Sequence, residues 1–259
     1  MRTQAGRLCH QYQNIRPLAE RADHTNSPPH SGGLLWPAQP ALLFQPPPQM
    51  PLSLFAVHLS DGAIADPWII AGFAGDAILL LLAMWRIREE EIPRIGVLTA
   101  AFFVGSSIHI PLAVLPTSVH LILNGLVGVI LGRRAPLAIT IGLLLQYLLL
   151  SHGGYTTLGL NACIVGIPAV IAGWCYPVLR RLGLSAFTRG VILGAGAAAG
   201  AVTLNFFVLL LAGKEDWSTL AKLVLLAHIP VVLIEGMMLG VIVRYLEKVK
   251  PEMLAGHGC

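Results

Sequence analysis

Five histidines hold the most chemistry in this chain: His58, His109, His120, His152 and His228. Neutral imidazole is the commonest metal ligand and suits zinc, copper, iron and nickel. One histidine at a membrane interface is ordinarily a solvated side chain, so the reading depends on whether the five act together. A second group of polar residues falls within apolar runs: Asp76, Asn124, Gln146, Asn161, Asn205 and Glu235. Carboxylates inside a bilayer are costly and invite a functional reading, although Asp76 has no partner visible in the sequence. His228 and Glu235 are seven residues apart, which puts them on one helical face about two turns apart. That spacing suits a direct role or a structural hydrogen bond locking the helix to its neighbours.

The elements that must position these groups are membrane helices. The chain of 259 residues is 55% hydrophobic and only 12% charged, against roughly 25% charged in soluble domains. Apolar runs lie at about 68–85, 95–111, 119–132, 136–151, 160–179, 190–213 and 219–243. A helix crossing the hydrocarbon needs about 20 residues. The fold class expected is therefore an all-α polytopic membrane protein of about seven transmembrane helices, the third of them short. Trp68 and Trp85 bracket the first, as interfacial indoles should.

The loops test this count. Putting the start of the first helix outside leaves eleven basic residues in the inner loops and tail: Arg86, Arg88, Arg94, Arg133, Arg134, Arg180, Arg181, Arg189, Arg244, Lys248 and Lys250. Only Lys214 and Lys222 remain outside. The positive-inside rule then predicts an outer N-terminus and a cytoplasmic C-terminus. It also accounts for the net charge of +4 without a nucleic-acid partner. In this orientation all five histidines lie outside or in the outer part of the bilayer. Imidazoles gathered at one mouth suggest capture of a first-row metal ion from outside. The glycines and alanines of "GVILGAGAAAGA" permit close helix packing, or a contact face for another subunit.

Residues 1–56 differ in character. They hold nine of the eighteen prolines and no lasting period of 2 or 3.6, so a disordered Pro-rich extension is expected. The four cysteines, Cys9, Cys163, Cys175 and Cys259, show no paired spacing and read as buried small hydrophobes.

Four blocks carry a resemblance: "VHLSDG" from His58, "PTSVHLILNGLVGVILG" with His120, "HGGYTTLGLNACIVGIPA" with Asn161, and "AHIPVVLIEG" with His228 and Glu235. In this order they resemble the CbiM/NikM family, the substrate-binding membrane (S) components of energy-coupling-factor cobalt and nickel transporters. The similarity runs from about residue 57 to 250. The resemblance implies a protein of the inner (plasma) membrane that captures Ni2+ or Co2+ at the outer face, in the setting of cobalamin biosynthesis. Its implied partners are an energy-coupling transmembrane (T) component, two cytoplasmic ABC-type ATPase subunits and, as an optional addition, a small accessory membrane subunit. No cofactor is implied beyond the transported nickel or cobalt.

The resemblance also implies a ligand set: the amine of Val57 if it is the true start, the amide and imidazole of His58, and the imidazole of His120. His109, His152, Asn161, His228 and Glu235 are candidates for supporting positions. Square-planar nitrogen sites favour Ni(II) or Cu(II), and capture should weaken as pH falls because the nitrogens must lose their protons. In the family the chain starts one residue before this histidine. The expectation is that translation begins at residue 57, at a codon read internally as valine. The organisation expected is an extension over 1–56, a transmembrane domain over 57–250 and a cytoplasmic tail over 251–259.

No phosphate-cradling G-x-x-x-x-G-K-[ST] is present. The chain is thus expected to be a transport component and not an enzyme, with ATP hydrolysed on a partner. A stand-alone metal channel or secondary carrier, and the same fold with a non-metal substrate, stay open as alternatives. A haem or other membrane enzyme fits less well, because His109 and His120 flank one turn instead of facing each other from separate helices.

Overall fold

A computed structural model describes residues 58–111 and 118–254. The expected extension over 1–56, Val57, and residues 255–259 of the tail lie outside the described residues, as does the His109 side chain.

The described chain is mostly helical: α1 (Asp66–Met84), α2 (Ile92–Ser107), α3 (Asn124–Leu131), α4 (Ala135–Leu150), α5 (Leu158–Arg181), α6 (Ala186–Ala212), α7 (Ser218–Ala227) and α8 (Ile229–Val249). Two three-residue strands, β1 (His109–Pro111) and β2 (Ser118–His120), pair antiparallel with His109 opposite His120. Proline occupies the first turn of α1, α2, α4 and α8, where its missing N–H has no intrahelical partner to lose. The α6 start is capped by Ser185, whose hydroxyl accepts from Thr188 N at 3.1 Å.

Among the described residues, five helical stretches are long and apolar enough to cross a membrane: Asp66–Met84, Asn124–Leu150, Leu158–Arg181, Ala186–Ala212 and Ser218–Val249. This differs from the seven expected in two places. The second expected run yields α2, of only 16 residues, and the third and fourth fall within one stretch. That stretch nevertheless reverses. A Cβ built on Gly173 would lie 2.6 Å from Gly128 O and 2.8 Å from the Gly132 Cα, whereas Pro136 lies back beside Gly166. So α3 runs along α5 in its direction and α4 returns against it. The turn is Gly132, at φ 54° and ψ −123°, a conformation open in practice only to glycine.

Arg134 fixes that turn. Its buried guanidinium donates to Ala83 O, to Trp85 O and Arg86 O at 2.8 Å each, and to the Glu91 carboxylate. One side chain thereby satisfies carbonyls at the C-terminus of α1, which a helix end leaves without partners. A second clamp joins α5, α6 and α8: Arg189 pairs with Glu247, which also accepts from Tyr176 OH at 2.7 Å. Both clamps lie at the same end as Gly173, and this is the arginine end. The small residues of α6 serve internal packing where they meet α8: a Cβ on Gly194 would lie 2.6 Å from Glu235 O.

Candidate metal centre

The opposite end is built by three loops. The segment from His58 to α1 is pinned at Leu59, whose N–H donates to Asn161 Oδ1 at 2.9 Å. The Leu59 carbonyl accepts from Asn161 Nδ2 at 3.0 Å and from Thr157 Oγ1 at 2.6 Å. An amide offers both a donor and an acceptor, so Asn161, early in α5, fixes the residue after His58 on both of its polar groups. Further along, Asp61 accepts from Tyr155 N at 3.1 Å and Thr156 N at 2.8 Å. Partial burial pushes the Asp61 carboxyl up, but bonds from the Thr156 side chain and the 155–157 backbone outweigh it and hold the carboxyl below its ordinary range. Backbone bonds from Ala65 N to Ala212 O (2.8 Å) and from Lys214 N to Ala63 O (3.0 Å) tie this segment to the end of α6.

His120 closes β2. Two and three residues on, Ile122 N and Leu123 N both donate to Glu235 Oε1, the latter at 2.8 Å. Leu123 is left-handed, at φ 54°, a conformation that costs a branched residue about 1 kcal/mol or more. Glu235 supplies the acceptor that keeps this bend and so sets where His120 points. His120 Nδ1 lies 3.1 Å from Leu121 O. In the tautomer that makes this contact a hydrogen bond, Nδ1 donates and Nε2 keeps its lone pair for a ligand role.

His152 follows α4, where Ser151 is left-handed and His152 N donates to Gln146 O at 3.2 Å. Gln146 is itself anchored, donating to Ser106 Oγ of α2 at 2.7 Å. The three loops bring three imidazoles together. Ring centroids are 5.0 Å apart for His58–His120, 5.2 Å for His58–His152 and 5.6 Å for His120–His152. One ligand nitrogen from each lies within 4.8 Å of the others. His58 and His120 are buried, and His152 is half-buried. The planes of His58 and His120 differ by 20°, while His152 stands at 84° and 88° to them.

Three imidazoles without a carboxylate among them suit a first-row divalent metal; calcium and magnesium take oxygen ligands.

The other candidates are placed differently. Asn161 and Glu235 position the loops of His58 and His120. His109 lies opposite His120 in backbone register. His228 is buried at the junction of α7 and α8, with Nδ1 2.7 Å from Val224 O, and lines a cavity with Val202 and Thr203, apart from the three-histidine cluster. Of its pairing with Glu235, the structural reading holds for Glu235, which bonds backbone of the 122–123 segment. Asp76 accepts from Thr140 Oγ1 at 2.9 Å, joining α1 to α4. Sequence reasoning missed Asp61 and Thr157 as positioning groups. Both stand inside the blocks quoted above, but a loop carboxylate and a loop hydroxyl read as surface until the opposite loop is in place.

Residues 58–253 match the family model described as the cobalt uptake substrate-specific transmembrane region, CbiM. A Haemophilus influenzae protein named for metal transport is 35% identical over 201 residues, which are 76% of this chain and 97% of that protein. The cobalt transport protein CbiM of Geobacter sulfurreducens is 30% identical over 220 residues, covering 78% of this chain and 63% of that longer protein. A Methanocorpusculum labreanum relative, 26% identical over 76% of this chain and 36% of its own length, is named as a fused cobalt transport protein CbiMQ. In fold, the crystal structure of a truncated transition metal transporter superposes with a TM-score of 0.65 at 21% identity, covering 74% of this chain and 98% of the other.

Proposed function

The chain belongs to the CbiM family, the substrate-specific transmembrane region of cobalt uptake, and on that premise we propose that the His58–His120–His152 cluster is where the metal ion is captured. The protein is a multi-pass membrane protein, with the inner membrane as its expected location, and a component of transition-metal uptake. The ion taken is Co2+ or Ni2+, held at the outer face and passed on for ATP-driven uptake as an energy-coupling-factor substrate-binding component. The observation that carries this is the convergence of three imidazoles from loops far apart in sequence on one point. His58 and His120 are the principal imidazole ligands, and His152 is the third imidazole at the same point. A free amine at residue 57, with the His58 amide, would complete a flat nitrogen set; intact mass of the native protein tests whether that amine exists.

The topology proposed is seven passes, with the histidine end outside and the arginine end cytoplasmic. The reversal at Gly132 and the eleven-to-two division of basic residues support it. Family members work with other transport subunits. The name of the fused relative supports a partner membrane component, and we assign ATP hydrolysis to two cytoplasmic ATPase subunits, with a small accessory membrane subunit as an optional addition.

Equilibrium dialysis of the purified chain against Co(II) and Ni(II) tests the reading. Saturable binding of one ion per chain, lost on His58→Ala or His120→Ala, is the expected result. Binding that survives both substitutions would place the metal elsewhere, and no binding of either ion would point to a non-metal substrate.

A further inference from the structure

At the arginine end, a cavity of about 1000 Å³ opens between the turn after α1, the reversal after α3 and the last turns of α5. Arg86, Arg88, Arg94 and Arg133 line it. Among the described residues none of these four has an ion-pair partner. Arg134, in the cavity wall, is already neutralised by Glu91. That bond, first among its causes, holds the Glu91 carboxyl below its ordinary range. Of the other lining residues, only Glu90 and Glu252 are acidic, so the cavity keeps a surplus of two positive charges. Its wall is preformed, because Arg134 holds three carbonyls of the α1 terminus in place.

Two further features select among anionic ligands. Trp85 and Trp174 line the same cavity and are each 64% exposed, as indoles at the headgroup level of a bilayer are. From Trp174 an exposed apolar stripe, Ile167, Ile171, Trp174 and Val178, runs along α5 at helical spacing. A soluble anion has no use for that stripe, and an acidic protein surface would not need it to start inside the cavity. A lipid uses both parts.

We propose that the cavity seats the phosphodiester headgroup of an anionic phospholipid, with an acyl chain laid along the α5 stripe. Planar guanidinium groups match phosphate oxygens two at a time, and basic pockets between membrane helices on the cytoplasmic side recognise such headgroups. Assignment to the inner leaflet rests on the orientation proposed above; the site itself does not.

Native mass spectrometry of the delipidated full chain, offered phosphatidylglycerol and phosphatidylcholine of the same acyl chains in equal amounts, tests this. About a tenfold preference for phosphatidylglycerol is expected, falling to near parity in the double variant Arg88→Gln/Arg133→Gln. The control Arg244→Gln/Lys248→Gln, which removes two exposed charges outside the cavity, keeps the preference. Should the double variant fail to fold, the single variants Arg88→Gln and Arg133→Gln are each expected to lower the preference by about two- to threefold. Co(II) affinity, read on the same samples, stays unchanged and separates this site from the histidine cluster. Equal retention of the two lipids, equal loss in the control, or displacement of the lipid by glycerol 3-phosphate at comparable concentration would each overturn the proposal.

Discussion

The two ends of this molecule are held by different chemistry. At the histidine end, the loops are fixed by hydrogen bonds of Asn161 and Thr157 with Leu59 and by Asp61 and Glu235 accepting from backbone N–H groups. The imidazoles themselves pack ring against ring. At the arginine end, two guanidinium–carboxylate clamps, Arg134–Glu91 and Arg189–Glu247, tie helix to turn and helix to helix. A site that must accept a dication gains from neighbours that carry no positive charge, since like charge nearby would oppose binding. An end that carries the basic loops can use the same cations as fasteners. The difference puts the proposed metal site and the guanidinium clamps at opposite ends of the helices, and substitutions can test whether they act apart.

The largest effect is expected at the ligands. His58→Ala and His120→Ala should each weaken Co(II) binding by more than about 100-fold, since loss even of a group that only orients a ligand costs 10–100-fold. Calorimetric titration reads this, and the melting temperature of the apo protein should barely move. Arg134→Leu should do the reverse. It strands the Glu91 carboxylate and three carbonyls, costing about 2 kcal/mol in thermal unfolding while leaving metal affinity within about twofold. Equal loss of metal binding in Arg134→Leu would mean that the two ends are coupled.

Smaller in effect, Asn161→Ala releases Leu59 and should weaken Co(II) binding by about tenfold. Adding Thr157→Ala should weaken binding further, because in Asn161→Ala the Thr157 hydroxyl still holds the Leu59 carbonyl.

The smallest effect sharpens the comparison by pH. Metal binding needs deprotonated imidazoles, so affinity should fall as pH drops below neutrality. Glu91 behaves differently. Its carboxyl is held down by Arg134, so its contribution is fully present above its ordinary value of 4.5 and is lost only as pH falls through the lower folded value. Between these limits the protein should stay folded and release its metal, which circular dichroism and metal retention on one sample would reveal.

Much of this was legible in the residues. Apolar runs of helical length and prolines at helix starts mark the helices without reference to partners, because the cost of exposing backbone to lipid is local. The short third run, "VHLILNGLVGVILG", already marked the place where the chain reverses at Gly132. His58 and His120 stood out through their blocks. His152, at the head of the third block, stood out only as a supporting candidate, and His228 stood out as strongly as any while lying apart from the cluster. Nothing in the numbering separates these two.

Composition and local pattern therefore settled that the chain is an apolar helical membrane protein with its polar residues at a few points, because burial in lipid constrains each segment on its own. Packing alone decided which of those points meet. The approach of His58, His120 and His152 depends on Asn161 clamping Leu59, on Glu235 holding a left-handed Leu123, and on Gln146 fastening α4 to α2. Each of those bonds joins residues about 40 to 110 positions apart, and no short-range signal in a sequence encodes a contact of that span.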